Sequence, residues 1–136
     1  MTEEKRKHYH VVCAIIVKGG SVYCCRRGPG RALEGFWEFP GGKIEPSEDP
    51  RHALEREIRE ELLAKVAVGE HIATSSHDYP GFSITMEAYL CELEGREPTL
   101  TEHTESRWLK ADELHSIEWA PADMPIVDAA RKLLIK

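Results

Sequence analysis

Between Pro50 and Leu63 the chain places two demands on one helix. At roughly 100° per residue, Leu54, Ile58 and Leu62 fall on one stripe, and Glu57, Glu60 and Glu61 share the neighbouring face at i, i+3, i+4. The stripe needs a broad apolar surface to pack against. The acids need a reason to stand together, because like charges at that spacing each cost an isolated helix a few tenths of a kcal/mol. The helix is expected to begin near Ser47 to Pro50, where Ser47 or Asp49 can cap free amides and Pro50 suits the first turn.

The flanking sequence supplies the surface. Tyr9 to Val17 is apolar and β-branched, Lys18-Gly19-Gly20-Ser21 carries turn chemistry, and Val22 to Cys25 resumes as a second strand, which together predict a hairpin. Gly28 to Gly42 reads as a loop with a short extended piece around Phe36 to Phe39. Val66 to Thr74 and Phe82 to Leu93 read as strands, and Arg107 to Leu109 adds a short one. Ala111 to His115 reads as a helical turn, and Pro125 to Ile135 as a final helix with Asp123 as its candidate cap. Strands, helix, strands, helix is the order of an α/β fold, a mixed sheet with a helix on each face. The length of 136 residues suits a single domain, 1–136.

Charge narrows the function classes. Twenty-four acids against 18 bases leave a net charge of −6, which excludes a broad basic surface for nucleic acid. Much of that surplus is local, since Glu45 to Glu61 holds seven acids and three bases. No run of about 18 apolar residues is present to cross a membrane. Met1 to His10 lacks the apolar stretch of a secretory signal, so a cytoplasmic protein is expected, a monomer or homodimer. Cys13, Cys24, Cys25 and Cys91 show no C-x-x-C spacing and read as reduced, buried thiols rather than a disulfide or zinc framework.

Taken alone, the acidic face has two readings: a solvated surface paired with Arg56 and Arg59, or carboxylates gathered for a divalent cation. Hard oxygen donors select Mg²⁺, with Mn²⁺ as the alternative, over zinc.

The surroundings run Gly42-Lys43-Ile44-Glu45-Pro46-Ser47-Glu48, then seven residues, then Arg56-Glu57-Ile58-Arg59-Glu60-Glu61. This resembles the Nudix box, G-x5-E-x7-R-E-U-x-E-E-x-G-U with U apolar, over about residues 42–64. Leu63 stands where the box has its second glycine and Ala64 where it has its last apolar residue. That glycine normally ends the helix, so the departure bears on helix termination and leaves the carboxylates in place. The run Gly35-Phe36-Trp37-Glu38-Phe39-Pro40-Gly41 before the box, Cys25-Arg26-Arg27, and Ala120-Pro121-Ala122-Asp123 are similar to MutT-type Nudix hydrolases, so the likeness covers nearly the whole chain.

The resemblance implies an α/β/α sandwich, the Nudix fold, and Mg²⁺-dependent hydrolysis of a nucleoside triphosphate to monophosphate and pyrophosphate by an attacking water. It implies Glu57, Glu60 and Glu61 as metal ligands and catalytic residues, with Glu57 as a candidate base, and the Gly41 carbonyl as a further ligand. Arg56 and Glu48 would orient the acidic cluster from behind. Glu102, six residues before Trp108, matches a loop carboxylate that binds metal or activates water, with Glu105 as competitor. His103 beside it has two readings, a proton-transfer group or a solvated loop histidine, of which the second is expected, and Lys43 and Arg31 read as solvated charges. Arg27 is the expected phosphate contact, while Phe39, Phe82 and Asp123 are expected to meet the base. Asp123 carries both readings, base contact and helix cap.

The implied substrate is CTP or a modified dCTP, or an oxidised dNTP such as 8-oxo-dGTP cleared from the nucleotide pool. In a similar 8-oxo-dGTP enzyme a basic residue occupies the position matching Phe82, a departure that weakens transfer of the oxidised-purine substrate, and the Ala120 to Pro125 run looks at least as close to relatives acting on CTP. Other Nudix substrates (ADP-ribose, a dinucleoside polyphosphate, a capped RNA end) and a non-catalytic nucleotide sensor are the alternatives, and intact box glutamates argue against the sensor.

Overall fold

The predicted hairpin forms the centre of the sheet. In the computed structural model, which describes residues 7–135, β1 (Lys7–Lys18) pairs antiparallel with β2 (Ser21–Arg26) through Val17 and Val22. Met1 to Arg6, most of the stretch read for a secretory signal, lies outside the described residues. β2 pairs on one side with β3 (Trp37–Glu38) and on the other with β7 (Glu105–Lys110). β1 continues into a long parallel ladder with β6 (Phe82–Leu93), which pairs antiparallel with β5 (Val66–Tyr79). The sheet is therefore mixed, as the element order predicted.

Alternation along β1 and β2 builds the layers. Val12, Ala14, Ile16, Tyr23 and Cys25 pack with Leu54, Ile58 and Leu62 of α1 (Pro50–Leu62). Cys13, Ile15, Val22 and Cys24 face the other way, toward Ile126, Val127 and Ala130 of α2 (Met124–Leu134). The helix stripe read from the sequence is thus the contact that fixes α1 on the sheet. All four cysteines are buried and free, and the neighbours Cys24 and Cys25 lie in opposite layers. Among the described residues no helix is long and apolar enough to cross a membrane.

Three segments depart from the sequence-based expectations. Gly41–Lys43, read as loop, is a strand, β4, paired antiparallel with Val11 to Cys13 of β1. β5 runs five residues past Thr74, because pairing Ser75 to Tyr79 against Phe82 to Met86 across the Pro80-Gly81 turn overrides their weak strand propensity. At α1, Asp49 caps by accepting from the amides of Arg51 (3.1 Å) and His52 (3.3 Å), while Ser47 sits in a turn with φ +67°.

Candidate active site

A cleft of about 870 Å³ opens beside the first half of β1, between the acidic face of α1 and the loop before α2. Arg27, Phe39, Gly41, Glu57, Glu60, Glu61, Phe82, Glu102 and Asp123 all line it, so the fold brings together residues spread over most of the sequence. Glu48 and Arg56 stand behind its acidic wall.

That wall is organised by Arg56. Its guanidinium donates to both oxygens of Glu48 (2.8 and 2.9 Å), to Glu57 Oε1 (2.9 Å), to Glu60 Oε2 (3.2 Å) and to the carbonyl of Lys43 (3.2 Å). The hydrogen bond from Arg56 pushes the Glu48 carboxyl down to about 2. Gly42 of β4 passes so close to Glu57 that a Cβ there would overlap the carboxylate. At the neighbouring Gly41 a Cβ would overlap the backbone carbonyl of Val12, so β4 lies close against β1.

Glu61 is different. It is 8% exposed, and its Oε1 is buried with no hydrogen-bond partner. Burial first, then the charges of Glu38 and Glu57, push its carboxyl up to about 8. Glu57 is also raised, mainly by burial, against the pull of Arg56. A buried carboxylate with an orphaned oxygen is costly unless a counter-charge arrives.

The expected ligand set is not gathered as it stands. Among the described residues no three His, Cys, Asp or Glu side chains are placed to hold a metal ion together. Glu57 and Glu60 both pair with Arg56, and Glu102, on its exposed loop, lies 3.3 Å from Arg31. Arg31, expected in solvent, is therefore a cleft residue. The donor set nevertheless suits a hard divalent cation, being all oxygen, lining one cleft, and including the unpartnered Glu61 oxygen. Glu105, the competitor of Glu102, is instead on β7, where it pairs with Arg26 and Arg107 and does not line the cleft.

Two further expectations change, at His103 and Asp123. His103, expected in solvent, has a fully buried side chain whose Nε2 bonds Glu38 Oε2 at 2.9 Å. Arg27, the expected phosphate contact, lines the cleft and donates to both Glu38 oxygens (3.0 and 3.2 Å) and to the Ala32 carbonyl (2.6 Å). Burial would raise the Glu38 carboxyl, but the His103 hydrogen bond and the Arg27 charge outweigh it and hold it below its usual range. The sequence reading missed Glu38 and His103 as site residues, since a glutamate after a tryptophan and a histidine in a polar loop carry no periodic signal.

Asp123 does not cap α2, since its side chain makes no cap hydrogen bond. It is 1% exposed and its Oδ2 accepts the Phe39 amide at 2.9 Å, so that amide is not offered to a ligand. Burial, then the Glu38 charge, push its carboxyl well above the usual carboxylate range. The loop before α2 is tied to β5 by Ser75 Oγ, which donates to the Ala122 carbonyl (2.6 Å), and by Tyr79, whose hydroxyl accepts the Ala122 amide (2.9 Å). Tyr79 also stacks on Phe82, with centroids 5.0 Å apart.

Known proteins are similar to this chain in sequence and fold. Residues 11–129 match the family model described as NUDIX domain. A CTP pyrophosphohydrolase of Escherichia coli (strain K12) is 37% identical over 125 residues, covering 90% of this chain and 91% of its own length. An 8-oxo-dGTP diphosphatase of Proteus vulgaris is 37% identical over 86 residues, covering 62% of this chain and 77% of its own. The solved structure of the DNA mismatch repair protein MutT (family Nudix hydrolase) from methicillin-resistant Staphylococcus aureus 252 superposes with a TM-score of 0.78 at 40% identity, covering 95% of this chain and 99% of that one.

Proposed function

The chain belongs to the NUDIX domain family and is a Nudix hydrolase acting on nucleotides, and from that premise we propose that it hydrolyses a nucleoside triphosphate to the monophosphate and pyrophosphate. The proposed substrate is CTP or a modified dCTP, or an oxidised dNTP such as 8-oxo-dGTP, and the proposed cofactor is Mg²⁺, with Mn²⁺ able to replace it. The observation that carries this reading is the buried, unpartnered oxygen of Glu61 beside Glu57 in a cleft of nucleotide size.

Glu57, Glu60, Glu61, Glu102 and the Gly41 carbonyl are proposed to hold the cation. When bound it neutralises the triphosphate, polarises the phosphorus under attack and lowers the pKa of bound water. Glu57, its basicity raised by burial, takes the proton of the attacking water. Water oxygen bonds to phosphorus as the bond to the departing pyrophosphate breaks. Arg56 and Glu48 keep Glu57 and Glu60 in place from behind. Arg27, steadied by Glu38, presents its remaining guanidinium edge to phosphate oxygens. Phe82 on Tyr79 supplies a face for the base. A neutral Asp123, with Oδ2 accepting from Phe39, offers the base edge an O–H donor as well as an acceptor.

The test is pyrophosphate release with Mg²⁺ from 8-oxo-dGTP, dGTP, CTP, dCTP and 5-methyl-dCTP, with ADP-ribose as control. At least one triphosphate is expected to be turned over, and Glu57→Gln or Glu61→Gln to lower kcat by about 10²-fold to 10³-fold or more with the fold retained. Binding of a nucleotide without turnover would overturn the enzyme reading, and near-parental kcat in both variants would overturn the site.

A further inference from the structure

Glu102 lines the cleft from a loop whose own side chains are largely exposed, yet its backbone is held on three sides. On the α1 side, the Thr99 amide donates to the Leu62 carbonyl and Thr101 Oγ1 to the Glu61 carbonyl, each at 2.7 Å. On the β2 side, the Thr104 amide donates to the Arg26 carbonyl at 3.1 Å. Gly28 packs so tightly that a Cβ there would lie 2.6 Å from the Glu102 carbonyl oxygen. The third hold is His103, whose side chain is fully buried.

The imidazole of His103 is fully buried and reaches Glu38, the same carboxylate that Arg27 grips with two hydrogen bonds. Glu38 in turn lies on β3, paired with Cys25 of β2. With Nε2 donating to Glu38, the other ring nitrogen, Nδ1, is buried without a partner, so the ring gains nothing from its site except this one bond and its packing. A polar ring placed so deep, next in sequence to a cleft carboxylate, fixes which way the neighbouring side chain leaves the backbone.

Building on the pyrophosphohydrolase reading above, we propose that His103 is a positioning residue: by anchoring its turn to Glu38 it sets where Glu102 enters the cleft, and Glu38 thereby aligns Glu102 with Arg27 across the site.

The test is a double-mutant cycle of His103→Ala and Glu102→Ala, with His103→Gln as the conservative variant, since glutamine carries its amide nitrogen at nearly the reach of Nε2. His103→Ala is expected to lower kcat about 10-fold to 100-fold with KM within about threefold of the parent, and His103→Gln to restore most of kcat. In the Glu102→Ala background, His103→Ala is expected to cost less than about twofold more, because the residue through which it acts is already gone. Mn²⁺ affinity of the nucleotide-free protein, read by electron paramagnetic resonance, follows the same pattern: His103→Ala weakens it only where Glu102 is present. If His103→Ala lowers the melting temperature severely, His103→Asn, polar but too short to reach Glu38, takes its place. Additive losses in the cycle, parental kcat in His103→Ala, or no rescue by glutamine would overturn the proposal. Absence of turnover on every triphosphate would instead fell the substrate reading, and the Mn²⁺ cycle alone then decides the role of His103.

Discussion

Asp123 shows how burial redirects a side chain that looks ordinary in sequence. Ahead of a helix, an aspartate reads as a cap, but here the carboxyl is turned inward to the Phe39 amide and holds its proton to a higher pH than an exposed aspartate. The folded chain thus binds a proton that the unfolded chain releases near 3.8. Stability from this group is complete below that value and is lost as pH rises toward the folded pKa. Asp123→Asn keeps an acceptor for Phe39 and does not titrate. Its stability relative to the parent is therefore expected to grow as pH rises above 3.8, by up to roughly 1.4 kcal/mol per pH unit, measured by denaturant unfolding. Parallel pH curves would show that Asp123 ionises normally. His103 and Glu38 escaped the sequence reading for the same reason, because whether a polar residue faces solvent depends on contacts made far along the chain. Glu57, Glu60 and Glu61 did not escape it, since helix geometry gives their common face and the resemblance to the Nudix box gave that face its role.

At the scale of elements, α1 is the part that sequence describes best and its end is the part it describes least. Apolar spacing and the Asp49-Pro50 start define the helix. Its last turn, however, is completed from outside, by Thr99 and Thr101 taking carbonyls that have no partner within the helix. Leu63 then stops the helix in the left-handed region at φ +51°, the position where the Nudix box has glycine. A leucine is strained there, and at 46% exposure it regains little by burial. Leu63→Gly is expected to stabilise the protein by about 1 kcal/mol, read as a higher urea midpoint. An unchanged or lower midpoint would mean that Leu63 is held there by packing. β4 is the converse case: Gly41-Gly42-Lys43 has no strand propensity, and only its fit between β1 and Glu57 makes it one.

For the whole molecule, the net charge of −6 acquires a location. Its densest acidic segment forms one wall of a cleft that Arg27, Arg31 and Lys43 also line, a surface suited to a cation between two sets of negative oxygens. Divalent cations are therefore expected to raise the melting temperature, since a ligand at a hundred times its dissociation constant stabilises the folded state by about 2.7 kcal/mol. Differential scanning fluorimetry with Mn²⁺ checks this, and Glu61→Gln is expected to remove most of the increment. A shift of equal size in both proteins would place the cation elsewhere. What the order of residues determined unaided was everything set by short-range geometry: the amphipathic helix, the alternating strands, the α/β layering and the spacing of the box glutamates. Tertiary structure alone decided which charges lose their water. Glu61 and Asp123 are pushed toward their neutral forms, His103 is drawn inward to Glu38, and Glu102 is brought to the cleft. Desolvation and pairing depend on neighbours that approach only once the chain has folded, and no local pattern in the sequence encodes them.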